Sequence, residues 1–526
     1  MLSNTFQTGQ LHIHEGSVEY DYRDEEWEDL FEGKYHYDLD ITPQNLSSGS
    51  EFQGPVWMNS QRSDQIPASS FNILNMYRSR SRRLDGQKMN FPTYEQECTI
   101  SCSLSIEKII ELAAEKFIQT TSQNTIQLSD FSHPYPTSVI SQESVISQES
   151  QEVQLIQNLL SSAEKVGDKQ YDRAKKLLLE CDKISSPRGS PVERLVFYFT
   201  EALYEKIDRE TGKITPKGLG KKIDDPLEAL KIPDKMLIAF HKELPLSQIT
   251  KFSGIQAVVD NLSEARKVHF IDFDIRKGVQ CIILMQALVD RYENPIEHLK
   301  ITALGMKSKE SIEETGRQLM NFANSLDLKL SFNVVMVEDI LDLDKNLFEL
   351  DNDEVVVVYA CYTLTNMIGK PDYLNHVMRM IKSLNPLVMV VTEVEVNCNS
   401  PVFVERFVEA LFFYGSWFEC MAECMKNNED ERFFGEKTCF GSSIRNVIAT
   451  EGEERKIRHV SIAVWRAFFM HFGLVEMELS MSSIYQAKLV LKNFSCGDYY
   501  TFDFDGKSLI VGWKGMPFSS VSVWKF

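Results

Sequence analysis

The run Val268-His-Phe-Ile-Asp-Phe273, continued by Asp274-Ile-Arg-Lys-Gly278, decides the fold. It is apolar with no polar alternation, too short for a buried helix, and ends in acids and a turn. A helical pattern over residues 281–291 follows it. A strand of this kind is buried on both faces, and that places it in a parallel sheet covered by helices. Working outward, the same unit recurs. A strand over 299–304 precedes a helix over 310–326, and strands over 330–337 and 354–360 precede a helix over 373–384 and a strand over 387–393. Residues 402–421 read as a strongly apolar helix. Near the end, the stretch 499–513 reads as a hairpin turning at Asp505-Gly506, with a last strand over 521–526. Upstream, helical patterns run through 153–163, 171–181, 192–207, 226–242 and 249–265. The reading is an α/β class fold, a Rossmann-like mixed sheet with antiparallel strands at one edge and a helical cap.

Before this body the texture changes. Residues 1–103 show no sustained period of 3.6 or 2 and read as a disordered acidic arm. Between residues 15 and 40 there are eleven Asp/Glu against two Lys/Arg, interleaved with aromatic and aliphatic residues that include Trp27, Leu30 and Phe31. That composition fits an activation segment or a plain solvated tail. A basic cluster, Arg78, Arg80, Arg82 and Arg83, reads as a nuclear import signal or as a phosphate contact. Residues 104–150 read as a short amphipathic helix, with Ile106, Ile109, Ile110, Ala113 and Phe117 on one face, and then a Ser/Gln/Pro-rich linker. In that linker SVISQE occurs twice in tandem, at 138–143 and 144–149. The folded domain is expected over 151–526.

Net charge is −20 over 526 residues, so a surface that coats nucleic acid non-specifically is not expected, although a local basic patch is compatible with it. No apolar run approaches the ~18 residues of a membrane span, and the N-terminus lacks the basic start and apolar core of a signal peptide. The close cysteine pairs, Cys98/Cys102 and Cys420/Cys424, have no second pair at ligand spacing, so reduced thiols are expected in place of zinc.

A Rossmann-like sheet raises the question of a dinucleotide or S-adenosylmethionine site after the 268–273 strand. Such a loop needs several glycines for close approach to the ligand, and only Gly278 is present. Phe273, Ile275 and Arg276 crowd the approach, and the strand over 299–304 ends without an acid to hold a ribose. Asp272 and Asp274 read as caps of the following turn. His269 reads as a hydrogen-bonded core histidine. No nucleophile–base pair, nucleophile elbow, zinc-protease or P-loop motif stands out. No cofactor and no catalytic residue is expected.

The order of segments across about 70% of the chain resembles the GRAS domain of plant regulators, the group that includes SCARECROW-like and DELLA proteins. Val268, His269, Ile271 and Asp272 match that family's VHIID motif, with Phe270 in place of the first Ile. Pro386, the Val391-Thr-Glu393 run, Arg445 and Arg458 are similar to its PFYRE segment, and Trp513 and Trp524 to its SAW motif. Val460 departs from a usual Glu, and Val523 from the Ala of SAW. The arm carries no DELLA-type motif, which argues against gibberellin-triggered recognition. The resemblance implies a methyltransferase-like core used for contacts, not catalysis. It also implies a nuclear location and partners such as zinc-finger transcription factors and other GRAS proteins, in homo- or heterodimers. The run Ile156-Gln-Asn-Leu-Leu160 reads either as a groove-docking helix or as a core face. The leading expectation is a transcriptional regulator recruited by DNA-binding partners. The alternatives are direct DNA binding and, third, a methyltransferase.

Overall fold

The computed structural model describes residues 104–123, 143–220, 234–291 and 294–526. Helices come first: α1 (Ile106–Gln123), α2 (Glu143–Gly167), α3 (Tyr171–Ile184), α4 (Pro191–Thr211), α5 (Asp234–Glu243) and α6 (Pro245–Asn261). Then β1 (Lys267–Asp272), α7 (Val279–Val289), β2 (His298–Gly305), α8 (Lys309–Ser325), β3 (Leu330–Met336), β4 (Val355–Cys361), α9 (Pro371–Leu384) and β5 (Val388–Val394) alternate. The chain continues through α10 (Phe403–Cys424), α11 (Glu429–Gly435), a π-helical segment Glu436–Gly441, α12 (Ser442–Ala449) and α13 (Ile462–His471). It closes with β6 (Val475–Met477), α14 (Met481–Leu491), β7 (Tyr500–Asp505), β8 (Ser508–Trp513) and β9 (Met516–Lys525).

All nine strands share one sheet, in the order β3-β2-β1-β4-β5-β9-β8-β7, with β6 on β9. β3 through β5 are parallel, and β9, β8, β7 and β6 pair antiparallel. The chain therefore starts in the middle, winds out through β2 to β3, and returns past β1 to β4 and β5. The reversal leaves a crevice at the carboxyl ends of β1 and β4. Alternation along β1 feeds two cores. Val268 and Phe270 join the core under the cap helices, while Ile271 joins the core under α9 and α13.

The helices follow from local signals. α4 starts at a capping box between Ser190 and Glu193 with Pro191 in its first turn, and stops at Gly212 with φ +68°. It is the spine of the cap, and α2, α10 and α12 pack around it. The cap is thus drawn from both halves of the chain, and the sheet strands lie between them in sequence.

The expected mixed sheet, helical cap and antiparallel edge are present. Three boundaries differ from the sequence reading. The face of α1 anticipated from its spacing is buried, with Ile106 and Ile110 against Gly415 of α10, where a Cβ would come within 2.9 and 3.1 Å of them. The folded body therefore includes α1, upstream of the expected 151, because that apolar stripe has a partner far along the chain. The second SVISQE copy, assigned to the linker, lies in α2, whose continuing helical period extends upstream. The last strand starts at Met516 and not at 521, because its first residues pair with β8 while later ones pair with β5. The acidic arm, the basic cluster and residues 226–233 of an expected helix lie outside the described residues.

Candidate functional site

The crevice beyond β1 and β4 is where a ligand would enter a sheet of this order. Asp272 closes β1 and is buried. Its Oδ1 accepts the Asp274 amide at 2.9 Å, and its Oδ2 accepts the Gln280 amide group at 2.7 Å. Burial pushes its carboxyl up to about 7. The loop then runs through Phe273 and Ile275, both buried, to Arg276, whose guanidinium pairs with Asp274. Thr315 of α8 donates to the Arg276 carbonyl at 2.7 Å and locks the loop. Gly278 takes φ +64° at the start of α7, and a Cβ there would meet Leu319 at 2.9 Å. The single glycine thus serves a turn and close helix packing. Phe273 and Ile275 are buried, one in each core, and β2 ends in Gly305-Met306 with no acid. The residues present do not fit a nucleotide or S-adenosylmethionine.

The motif residues are held by their own chain. His269 is buried, with Nδ1 2.7 Å from Glu354 and Nε2 2.7 Å from Thr302, and burial keeps its ring below the usual histidine range. Val268 and Ile271 pack into the two cores. Pro386 is buried behind Asn385 (φ +48°), where α9 turns into β5. Trp513 donates to Glu419 at 3.2 Å and meets the Tyr500 ring edge-on, while Trp524 donates to Ser522 at 2.8 Å and meets Phe469. Both indoles are buried, as core packing requires and a base-stacking platform does not. Ile156, Leu159 and Leu160 are wholly buried, so the near-LxxLL run is a core face. Val460 fills the core under α13, where a Glu would need a partner. Trp27, Leu30, Phe31, Arg78, Arg80, Arg82 and Arg83 lie outside the described residues.

Arg445 and Arg458 belong to a larger feature, a charged seam between α4 and the segment that follows β5. Arg445 pairs with Glu201 at 3.2 Å and Glu205 at 3.3 Å, both on α4. Arg458 donates to Asn399 at 3.3 Å and to the Gly452 carbonyl at 2.9 Å. Two buried arginines absent from the sequence reading carry the centre. Arg194 of α4 pairs with Glu436 at 3.0 Å and donates to the carbonyls of Gly189 and Phe418 at 2.8 and 3.1 Å. Arg406 of α10 donates to the Val447 and Ser400 carbonyls, both at 2.7 Å, and pairs with Glu451, which also holds Lys206 at 2.8 Å. Burial raises the Glu451 carboxyl, but Arg406 and Lys206 together outweigh it and hold the group below the usual range. The missed signal was a lone Arg inside an apolar helical period, at 194 among Val192, Leu195 and Val196, and at 406 beside Phe403 and Phe407.

Cys420 and Cys424 gain a third neighbour that spacing did not show, Cys496, with 2.9 Å between the Cys424 and Cys496 sulfurs. Among the described residues no His/Cys/Asp/Glu group is arranged to hold a metal ion.

These features define an α/β scaffold with a single glycine in the loop after β1 and a cap whose two halves are joined by buried ion pairs. Residues 155–525 match the model of the GRAS domain family. The chain is 28% identical over 418 residues to the DELLA protein GAIP of Cucurbita maxima, covering 78% of this chain and 68% of that one. It is 29% identical over 396 residues to the DELLA protein RGL3 of Arabidopsis thaliana, covering 74% and 73%. Among solved structures, SCL7 of Oryza sativa is similar with a TM-score of 0.63 at 27% identity, covering 70% of this chain and 99% of that chain. The chain belongs to the GRAS domain family. It is a transcriptional regulator acting through protein–protein contacts.

Proposed function

We propose that the domain is recruited to promoters by DNA-binding partners of the zinc-finger type, with other GRAS proteins as homo- or heterodimer partners, and that it works in the nucleus. The observation that carries this is the loop after β1, where buried Phe273 and Ile275 and one glycine stand in place of a glycine-rich ligand loop. A Rossmann-like, methyltransferase-like sheet with such a loop keeps the rigidity of an enzyme core without its ligand. The strand order supports the methyltransferase-like description of the core. The net charge of −20 favours a bridging role over a direct grip on phosphate. In this reading the acidic arm around Trp27, Leu30 and Phe31 recruits activation machinery, and the Arg78–Arg83 cluster serves nuclear import or a phosphate contact.

The test is a selection of the purified chain against random duplex DNA, with and without a zinc-finger partner. Enrichment of a sequence only with the partner is expected. Enrichment by the chain alone, lost steeply with salt, would replace this reading with direct DNA binding.

A further inference from the structure

Among the described residues the sheet ends in two outer strands, β7 and β3, and the three-residue β6 pairs only with β9. Natural sheets blunt such edges, because a row of unpaired amides and carbonyls invites another chain to add on. β7 is blunted: it carries Asp503 and Asp505, and Arg466 of α13 reaches across to Asp505 at 3.0 Å. β3 is not. Its seven residues, Leu330-Ser-Phe-Asn-Val-Val-Met336, contain no charge and no proline.

A cleft of about 500 Å³ lies along β3, and four consecutive residues line it, Phe332 through Val335. Successive strand residues point to opposite faces. Phe332 packs with the core on the cap side of the sheet, and Val335 belongs to the core on the other side. One cleft can touch both only by running along the strand's free edge. Its walls come from the two faces. Met320, on α8, is 37% exposed on one side, and Leu347, in the turn before β4, is 44% exposed on the other.

The hydrogen-bond parity agrees. The Lys329 carbonyl accepts from Leu299, and the Val337 amide donates to Gly305, so odd-numbered residues of this strand face β2. In a parallel ladder both backbone groups of one residue point the same way. The amides and carbonyls of Phe332 and Val334 therefore point out into the cleft. Among the described residues none pairs with them.

The charges give the occupant a direction. Lys309 opens α8 just after the carboxyl end of β2, and Arg317 follows two turns on along the same wall. Glu313 lines the same wall between them, so that end carries two cations against one acid, and their intrahelical pairs with Glu313 and Glu314 are exposed and exchangeable. Glu349 sits at the opposite end, where Lys300, level with Ser331 near the start of β3, holds its carbonyl.

We propose that the free edge of β3 is a docking slot for an extended peptide of a partner protein. The peptide adds a tenth strand, with alternate apolar side chains against Met320 and Leu347. It is acidic at the end beside Lys309 and Arg317 and basic at the end beside Glu349. Backbone pairing supplies affinity, and the two apolar walls and the charges supply selectivity. The slot stands independently of whether promoter recruitment uses a zinc-finger partner.

The probe is a displayed library of random nine-residue peptides, selected on the full chain. The discriminating variant is Val334→Pro. It deletes an outward amide and takes nothing from the β2 ladder, a place where edge strands tolerate proline. Arg317→Glu is the second variant, at an exposed position that does not threaten folding. The expected result is a set of clones with alternating apolar residues and an acidic end. Their synthetic peptides should bind Val334→Pro at least tenfold more weakly, and Arg317→Glu several-fold more weakly. N-methylation of their alternate amides should abolish binding. Clones that bind both variants as well as the parent, or a library that yields no clone, would overturn the proposal. Failure of the DNA selection above would leave this result untouched.

Discussion

Glu393→Gln offers a measurement whose sign changes with pH. Glu393 is buried at the carboxyl end of β5, where its Oε1 accepts the amides of Leu364 at 3.0 Å and Thr365 at 3.2 Å. Among the described residues its Oε2 has no partner. Burial, opposed by the backbone amides, raises the carboxyl from 4.5 to about 8. For a group whose folded pKa is raised, the stability it contributes is complete below the unfolded pKa. That contribution is lost as pH rises through the folded value. The window is therefore pH 4.5 to about 8. At roughly 1.4 kcal/mol per unit, the loss across it is on the order of 5 kcal/mol. Glutamine keeps the oxygen that accepts both amides and cannot ionise, but it buries an amide group without a partner, costing about 1–3 kcal/mol. The variant is thus expected to be less stable than the parent at pH 5 and more stable at pH 8.5. Urea denaturation followed by tryptophan fluorescence across that range measures both curves. Asp272 and Glu436, each raised to about 7, make both proteins lose stability as pH rises, so the difference between the curves isolates Glu393. Curves that stay parallel, with a constant offset and no crossing, would refute the reasoning.

Two further substitutions probe the seam and the loop after β1. Arg194→Met leaves Glu436 buried with only Arg432, at 3.9 Å, for company. It should cost about 3–5 kcal/mol in urea denaturation, and adding Glu436→Gln should recover much of that. Gly278→Ala forces a side chain into φ +64° and to within 2.9 Å of Leu319, for a loss of about 1–3 kcal/mol. Its mark is faster amide exchange in α7 and the 273–277 loop, measured by mass spectrometry.

Much of the fold was legible before any coordinates. β1 through β5 were readable because a strand buried on both faces has no polar alternation, and the intervening helices keep their 3.6 period. The β7–β8 hairpin was readable from Asp505-Gly506, since Gly506 takes φ +57° in the turn as a tight hairpin needs. β6 was not. Three residues make no periodic pattern, and only pairing with the end of β9 defines them as a strand. α1 was legible as a helix but not as part of the domain, because its partner, Gly415 on α10, lies some 300 residues away along the chain.

The site divides in the same way. The apolar residues of the loop after β1, Phe273 and Ile275, and the solitary Gly278 were visible in the sequence, because ligand loops depend on residue types at fixed offsets. Motif membership marked Arg445 and Arg458, but their partners on α4 became known only in three dimensions.

By itself, then, the sequence determined the strands, the helices, the family resemblance and the absence of a fitting nucleotide loop, all of which depend on short-range chemistry. Only the tertiary structure decided which charges are buried in pairs, that the cap is assembled from both halves of the chain, and that β3 is an outer strand among the described residues. Those facts depend on which distant segments meet, and strand order and ion pairing leave no periodic trace along the chain.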